Sequence, residues 1–166
     1  IVHPKGVNEE MLYAIDQFVL KGGRVMAFVD TNAETAARPG AGQKNDPVSE
    51  FDKTLESWGV RLVKDQVAAD ITMARRVNVQ QGAKLAVTDY VAWLALKPEN
   101  FDSEDIATAD LQVVNIGTSG ILEPIEGKGT VFSPLMQTSD KSMQINRDKV
   151  MLRPQVVELF RNFKPQ

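Results

Sequence analysis

IVHPKGVNEEMLYAIDQFVLKGGRVMAFVD, residues 1–30, is the stretch on which the fold reading turns. Asn8 is a helix N-cap, with Glu9 and Glu10 in the first turn, where carboxylates favour the positive helix end. Apolar residues recur at Met11, Leu12, Ile15, Phe18 and Val19, the spacing of a helix with one buried face. Lys21 falls in the last turn, and Gly22 can adopt the left-handed conformation that closes a helix. Val25 to Val29 is apolar throughout, the pattern of a strand covered on both faces in a parallel sheet. With His3 near the end of a first strand and Asp30 at the end of a second, the stretch predicts a βαβ unit. The expected class is therefore α/β with a mostly parallel sheet. The chain also opens inside an apolar strand, which predicts an excised fragment of a longer protein.

Outward from that unit, Thr31 to Asn45 is small, polar and without apolar periodicity, and reads as a long loop at the carboxyl end of the second strand. Asp46 as N-cap and Pro47 at the first helical position predict a second helix, with core positions Val48, Phe51, Leu55 and Trp58 and a stop at Gly59. Val60 to Val63 resumes the sheet, parallel by the right-handed crossover rule. Ile71 to Val79 and Lys84 to Leu96 predict an antiparallel hairpin or edge added to that sheet. Phe101 to Ala109 reads as a short helix start, 111–116 and 130–136 as strands, and Pro154 to Phe163 as a last helix. The whole, 1–166, is expected to form a single domain.

The composition excludes several chemistries. With 166 residues, the chain is about one domain in size. A net charge of -3 argues against a general nucleic-acid binder, and Arg75-Arg76 is the only adjacent basic pair. The chain has no cysteine, which removes disulfides, thiolate metal sites and a cysteine nucleophile. With a single histidine, a zinc site would need an atypical set of carboxylates. No metal or cofactor is expected. No phosphate-binding glycine motif is present, and Gly40-Ala41-Gly42 lies inside a loop instead of between a strand and a helix. The longest apolar run, Val91 to Leu96, is too short to cross a membrane.

The candidate residues are few. His3 and Asp30 end the two predicted strands, where ligands bind in open α/β sheets, and Asn32 follows closely. A histidine beside a hydroxyl nucleophile would suggest acyl chemistry, but no Gly-x-Ser-x-Gly motif occurs. Capping and turn roles explain His3 and Asp30 as well. Asp102, Glu104 and Asp105 form the densest acidic group, at an expected helix start. Thr118-Ser119 and Thr138-Ser139 are hydroxyl-rich turns suited either to ordinary turn bonding or to a glycan or peptide ligand.

His3-Pro4-Lys5, the run Leu12-Tyr13-Ala14-Ile15-Asp16-Gln17-Phe18-Val19-Leu20-Lys21-Gly22-Gly23, and Phe28-Val29-Asp30 resemble the auxiliary component of gliding-motility-type ABC transport systems, the GldG-like family. Trp58-Gly59-Val60, the segment Trp93 to Phe101 and the segment Ser133 to Ser139 resemble it too. The resemblance implies a flavodoxin-like three-layer sandwich similar to class I glutamine amidotransferases. It further implies a non-catalytic extracytoplasmic binding or scaffolding domain at the periplasmic face of a bacterial inner membrane. Its partners would be ABC transporter membrane and ATPase subunits, with anchoring segments outside this chain. The amidotransferase triad cannot be transferred to a chain without cysteine. The competing expectation is a small-ligand or enzymatic site in which His3 and Asp30 converge.

Overall fold

The computed structural model describes residues 1–34, 48–81, 84–151 and 154–165. Its helices are α1 (Glu9–Leu20), α2 (Asp52–Ser57) and α3 (Val156–Arg161). Its strands are β1 (Val60–Leu62), β2 (Gln66–Asp70), β3 (Ala74–Gln81), β4 (Lys84–Leu96), β5 (Val114–Gly117), β6 (Leu122–Pro124) and β7 (Ser142–Asn146). The chain divides into two compact units, Ile1–Lys64 with Gly120–Phe132, and Asp65–Ser119 with Ser133–Gln166.

The first unit contains the opening stretch. The Asn8 side chain accepts from the Met11 amide at 2.9 Å and caps α1, and Gly22, at φ 89°, follows the helix in the left-handed region. Leu12 and Ile15 of α1 pack with Ala27, Val29 and Trp58 against the buried trio Phe51, Leu55 and Leu62. Phe51 and Trp58 meet edge to face at 5.8 Å, and the Trp58 indole donates to Asp16 at 2.9 Å. β1 pairs antiparallel with β6, Arg61 opposite Glu123.

The second unit holds the larger sheets. β2 pairs antiparallel with β7 from Gln66↔Asn146 to Asp70↔Ser142. The three-stranded sheet runs β3-β4-β5, antiparallel throughout, with the register slipping between Ala74 and Arg75. One core is built on Val67, Ala69, Tyr90, Val91, Ala92, Ile145, Val150 and Val156, and another on Met73, Leu94, Leu96 and Phe101.

This architecture corrects the expected fold class. Every ladder among the described residues is antiparallel, in small sheets, so the chain is not a mostly parallel flavodoxin-like sandwich. The first and second predicted strands touch through an isolated parallel bridge, Val2↔Phe28. The reason lies in the run 25–29, which is covered on one face only: Val25, Ala27 and Val29 are half-buried while Met26 and Phe28 are exposed. An apolar composition therefore mimicked the two-sided burial of a parallel strand without having it. β1, expected to extend a parallel sheet, instead pairs with β6, a short strand the sequence reading missed. β2 and β7 were missed as well. The hairpin of β3 and β4 forms where expected. The predicted second helix is cut to Asp52–Ser57, its cap at Asp46 and Pro47 lying outside the described residues. Residues 101–109 form bends and turns, and 130–136 contribute an isolated antiparallel bridge, Phe101↔Met136, instead of a strand.

Candidate functional site

The polar residues of the first unit gather where the opening strands end. Ser49, buried, is the centre. Its hydroxyl lies 2.9 Å from His3 Nδ1 and accepts the Asp30 amide N–H at 2.9 Å, while its own amide donates to the Asp30 carbonyl at 2.8 Å. The segment 48–50 is laced to the first strand too. The Glu50 amide donates to the Pro4 carbonyl, the Glu50 carboxylate accepts from the Gly6 amide, and Lys5 donates to the Val48 carbonyl. Asp30 Oδ1 accepts from the amides of Asn32 at 3.0 Å and Gly120 at 3.1 Å. Gly120 can come this close because it lacks a side chain: a Cβ there would stand 3.0 Å from Leu62 Cδ1 and 3.4 Å from Asp30 Oδ1. Thr31 and Asn32 are buried beside it.

His3 and Asp30 are thus brought together, but through the backbone N–H of Asp30 and a shared serine hydroxyl. His3 carries φ 42°, in the left-handed region, a conformation costing about 1–3 kcal/mol that the surrounding bonds must hold. Its Nε2 is buried without a hydrogen-bond partner among the described residues. Ser49 has one hydroxyl proton and no other acceptor for it among the described residues, so that proton points to His3 Nδ1. In the neutral ring this arrangement places the proton on Nε2. Because the chain has a single histidine, long-range ¹H–¹⁵N spectra of the neutral ring read this position alone. An unprotonated Nδ1 is expected, and a protonated Nδ1 would contradict the assignment.

The serine–histidine contact resembles a nucleophile beside its base, yet its surroundings argue otherwise. Ser49 is 2% exposed, and its oxygen already accepts the Asp30 N–H. A nucleophile needs an oxygen that the electrophile can reach, and this one is buried. What the arrangement does chemically is tie three chain segments together.

Burial, the largest influence, raises the Asp30 carboxyl above its ordinary value, against the backbone N–H groups of Asn32, Gly120 and Thr31 and the nearby charge of His3. The folded state thus binds the Asp30 proton more tightly than the unfolded chain does. Its contribution to stability is full below the unfolded value of 3.8 and is lost as pH rises through the higher folded value. Asp30→Asn keeps an oxygen for the Asn32 and Gly120 amides and cannot ionise. Urea unfolding should therefore show the variant gaining on the native chain as pH rises from 3 to 7, with the difference closing at the acid end. Equal pH slopes would contradict this.

The other sequence candidates lie in the second unit. Thr118 is buried at φ 41°, its amide donating to the Ala92 carbonyl, and the Ser119 carbonyl accepts from the Ala68 amide. Thr138 and Ser139 are half-buried, and the Ser139 amide donates to Asp70 Oδ2 at 2.6 Å. Asp70, fully buried and missed in the sequence reading, also accepts from the amides of Thr72 at 2.7 Å and Met73 at 3.0 Å. The signal for it was an Asp at a strand end followed by Thr72, the local pattern of an Asx turn. Ser49 carried no such signal, because its contacts are with residues 19 and 46 positions away. Asp102 and Asp105 cap their own turn through the Glu104 and Ala107 amides. A cleft of about 370 Å³ lies between β7 and α3, lined by Gln144, Asn146, Gln155, Glu158 and Asn162 among others, and holds none of the sequence candidates. Among the described residues no three His, Asp or Glu side chains are placed to hold a metal ion, and no helix is long and apolar enough to cross a membrane.

A family model described as ABC-type uncharacterized transport system matches the chain over residues 1–166. No curated protein and no solved structure matches it.

Proposed function

We propose that this chain, which belongs to the ABC-type uncharacterized transport system family, is a non-catalytic binding or scaffolding component of an ABC transporter, of the gliding-motility type and acting on the extracytoplasmic side. The family describes an auxiliary part of a transport system, and such a part acts by association with the transporter's membrane and ATPase subunits. The observation that carries the non-catalytic reading is the closed bonding around Ser49. The side chains that sequence alone would nominate for chemistry spend their bonds on one another and on the backbone of three segments. Fixed in this way they hold a surface in shape, which is what a scaffold requires.

The extracytoplasmic placement rests on the resemblance of the opening stretch to the gliding-motility family. The protein, affinity-tagged in its native membranes and purified in mild detergent, should bring down an ABC ATPase and its membrane subunit. In intact cells with a permeable outer envelope, a membrane-impermeant amine reagent should label its lysines. Recovery without transporter subunits would overturn the scaffold reading, and labelling only after lysis would overturn the placement.

A further inference from the structure

Among the described residues, nothing bonds one edge of the segment Arg24–Asp30 and one of its faces is exposed. Three of its even-numbered backbone groups are spent on the first strand, Ile1 N donating to Met26 O, Phe28 N–H to Ile1 O and His3 N–H to Phe28 O, while those of Asp30 bond Ser49. The N–H and C=O groups of Val25, Ala27 and Val29 point to the opposite edge and make no hydrogen bond among the described residues. An unpaired edge of this kind is a template for another strand. On the face away from α1, Met26 is 68% exposed, Phe28 59%, and Val2, bridged to Phe28, 75%. Arg24 is exposed on that same face, without an ion pair or hydrogen bond among the described residues.

The order of residues identifies the occupant. Read about Ala27, Arg-Val-Met-Ala-Phe-Val-Asp is self-complementary: a cation at one end, an anion at the other, and matched apolar residues between. We propose that this segment pairs antiparallel with the same segment of a second copy, about a two-fold axis through Ala27. In that register Val25 lies opposite Val29 of the second copy and Ala27 opposite its own counterpart, so the free odd-numbered groups become hydrogen-bonded pairs. Met26 faces Phe28 of the second copy in the closer, non-hydrogen-bonded position, a sulfur–aromatic contact made twice by symmetry. Arg24 comes opposite Asp30 of the second copy at both ends, setting its cation against Asp30 Oδ2, the carboxylate oxygen not held by the Asn32 and Gly120 amides. An anionic lipid surface would use Arg24 and the apolar face but leave the edge unbonded, and a parallel strand would lose the charge match. The antiparallel copy uses all three.

The chain contains no cysteine, so introduced thiols report only on themselves. Met26→Cys and Phe28→Cys lie on exposed positions that do not contribute to the core. Their backbones in the proposed register approach to about 4.5 Å, within the range a disulfide spans. Under mild oxidation a mixture of the two variants should form covalent dimers several-fold more than either variant alone. Sedimentation of the native chain should show a concentration-dependent dimer that Phe28→Lys abolishes while circular dichroism stays unchanged. A native chain that remains monomeric at every concentration overturns the proposal, and flotation of that monomer with anionic vesicles would assign the face to lipid instead. Cross-linking of the single variants equal to that of the mixture overturns the register.

Discussion

Replacing Asp70 by alanine is expected to destabilise the second unit by about 3–5 kcal/mol, because a fully buried acceptor that serves three backbone amides is removed at once. Thr72 is exposed and its amide can turn to water. Met73 is buried within the core of Leu94, Leu96 and Phe101, and the Ser139 amide is held where β7 begins to pair with β2. These two donors are left without an acceptor, so the loss reaches both the packing and the ladder. Asp70→Asn keeps an oxygen for the Thr72 and Met73 amides but sets an NH₂ group against the Ser139 N–H, and should cost less than alanine. Urea unfolding followed by hydrogen exchange at residues 66–73 and 139–146 distinguishes the cases. Unchanged protection in the alanine variant would show that Asp70 does not join these segments.

Phe51→Ala should destabilise the first unit by a similar amount, about 3–5 kcal/mol. Among the described residues, the buried core of that unit consists of Phe51, Leu55 and Leu62. Phe51 precedes α2, carries the edge-to-face contact with Trp58, and sits under Leu12 and Ile15 of α1. Its removal leaves a cavity that neighbours on three elements would have to fill. Phe51→Leu retains most of the volume and should cost about 1–1.5 kcal/mol. Near-ultraviolet circular dichroism and Trp58 fluorescence report the loosening. An alanine variant as stable as the native chain would mean that α1 and α2 are held by something other than this core.

The contrast between the two units shows what sequence can carry. Helix α1 was legible to its caps because Asn8 with the acidic first turn, and Gly22, each act within a few residues of the helix end they fix. The β3–β4 hairpin was legible because its two runs are joined by a short turn. Strand direction was not, since nothing local in Val25 to Val29 records whether one face or two will be covered. β2, β6 and β7 escaped for a related reason: they are short, and their partners lie 20 residues or more away in the chain, as with β1 and β6. The candidate site divides in the same way. His3 and Asp30 were visible as polar residues at strand ends, whereas Ser49, which joins them, and Gly120, which donates to Asp30, are set by distant pairing. Nor could composition tell that the hydroxyl beside His3 is buried and its oxygen already engaged.

The central claim is that this polar cluster shapes a transporter-associated surface and performs no reaction. The most direct measurement compares the tagged native protein with its Asp30→Asn variant, each purified in mild detergent from native membranes lacking the untagged copy. The ABC ATPase and membrane subunit should be recovered in equal yield with both, since the variant retains the acceptor for Asn32 and Gly120. Recovery of the native protein without those subunits would contradict the claim. So would a folded variant that keeps the subunits in the complex but no longer supports transport.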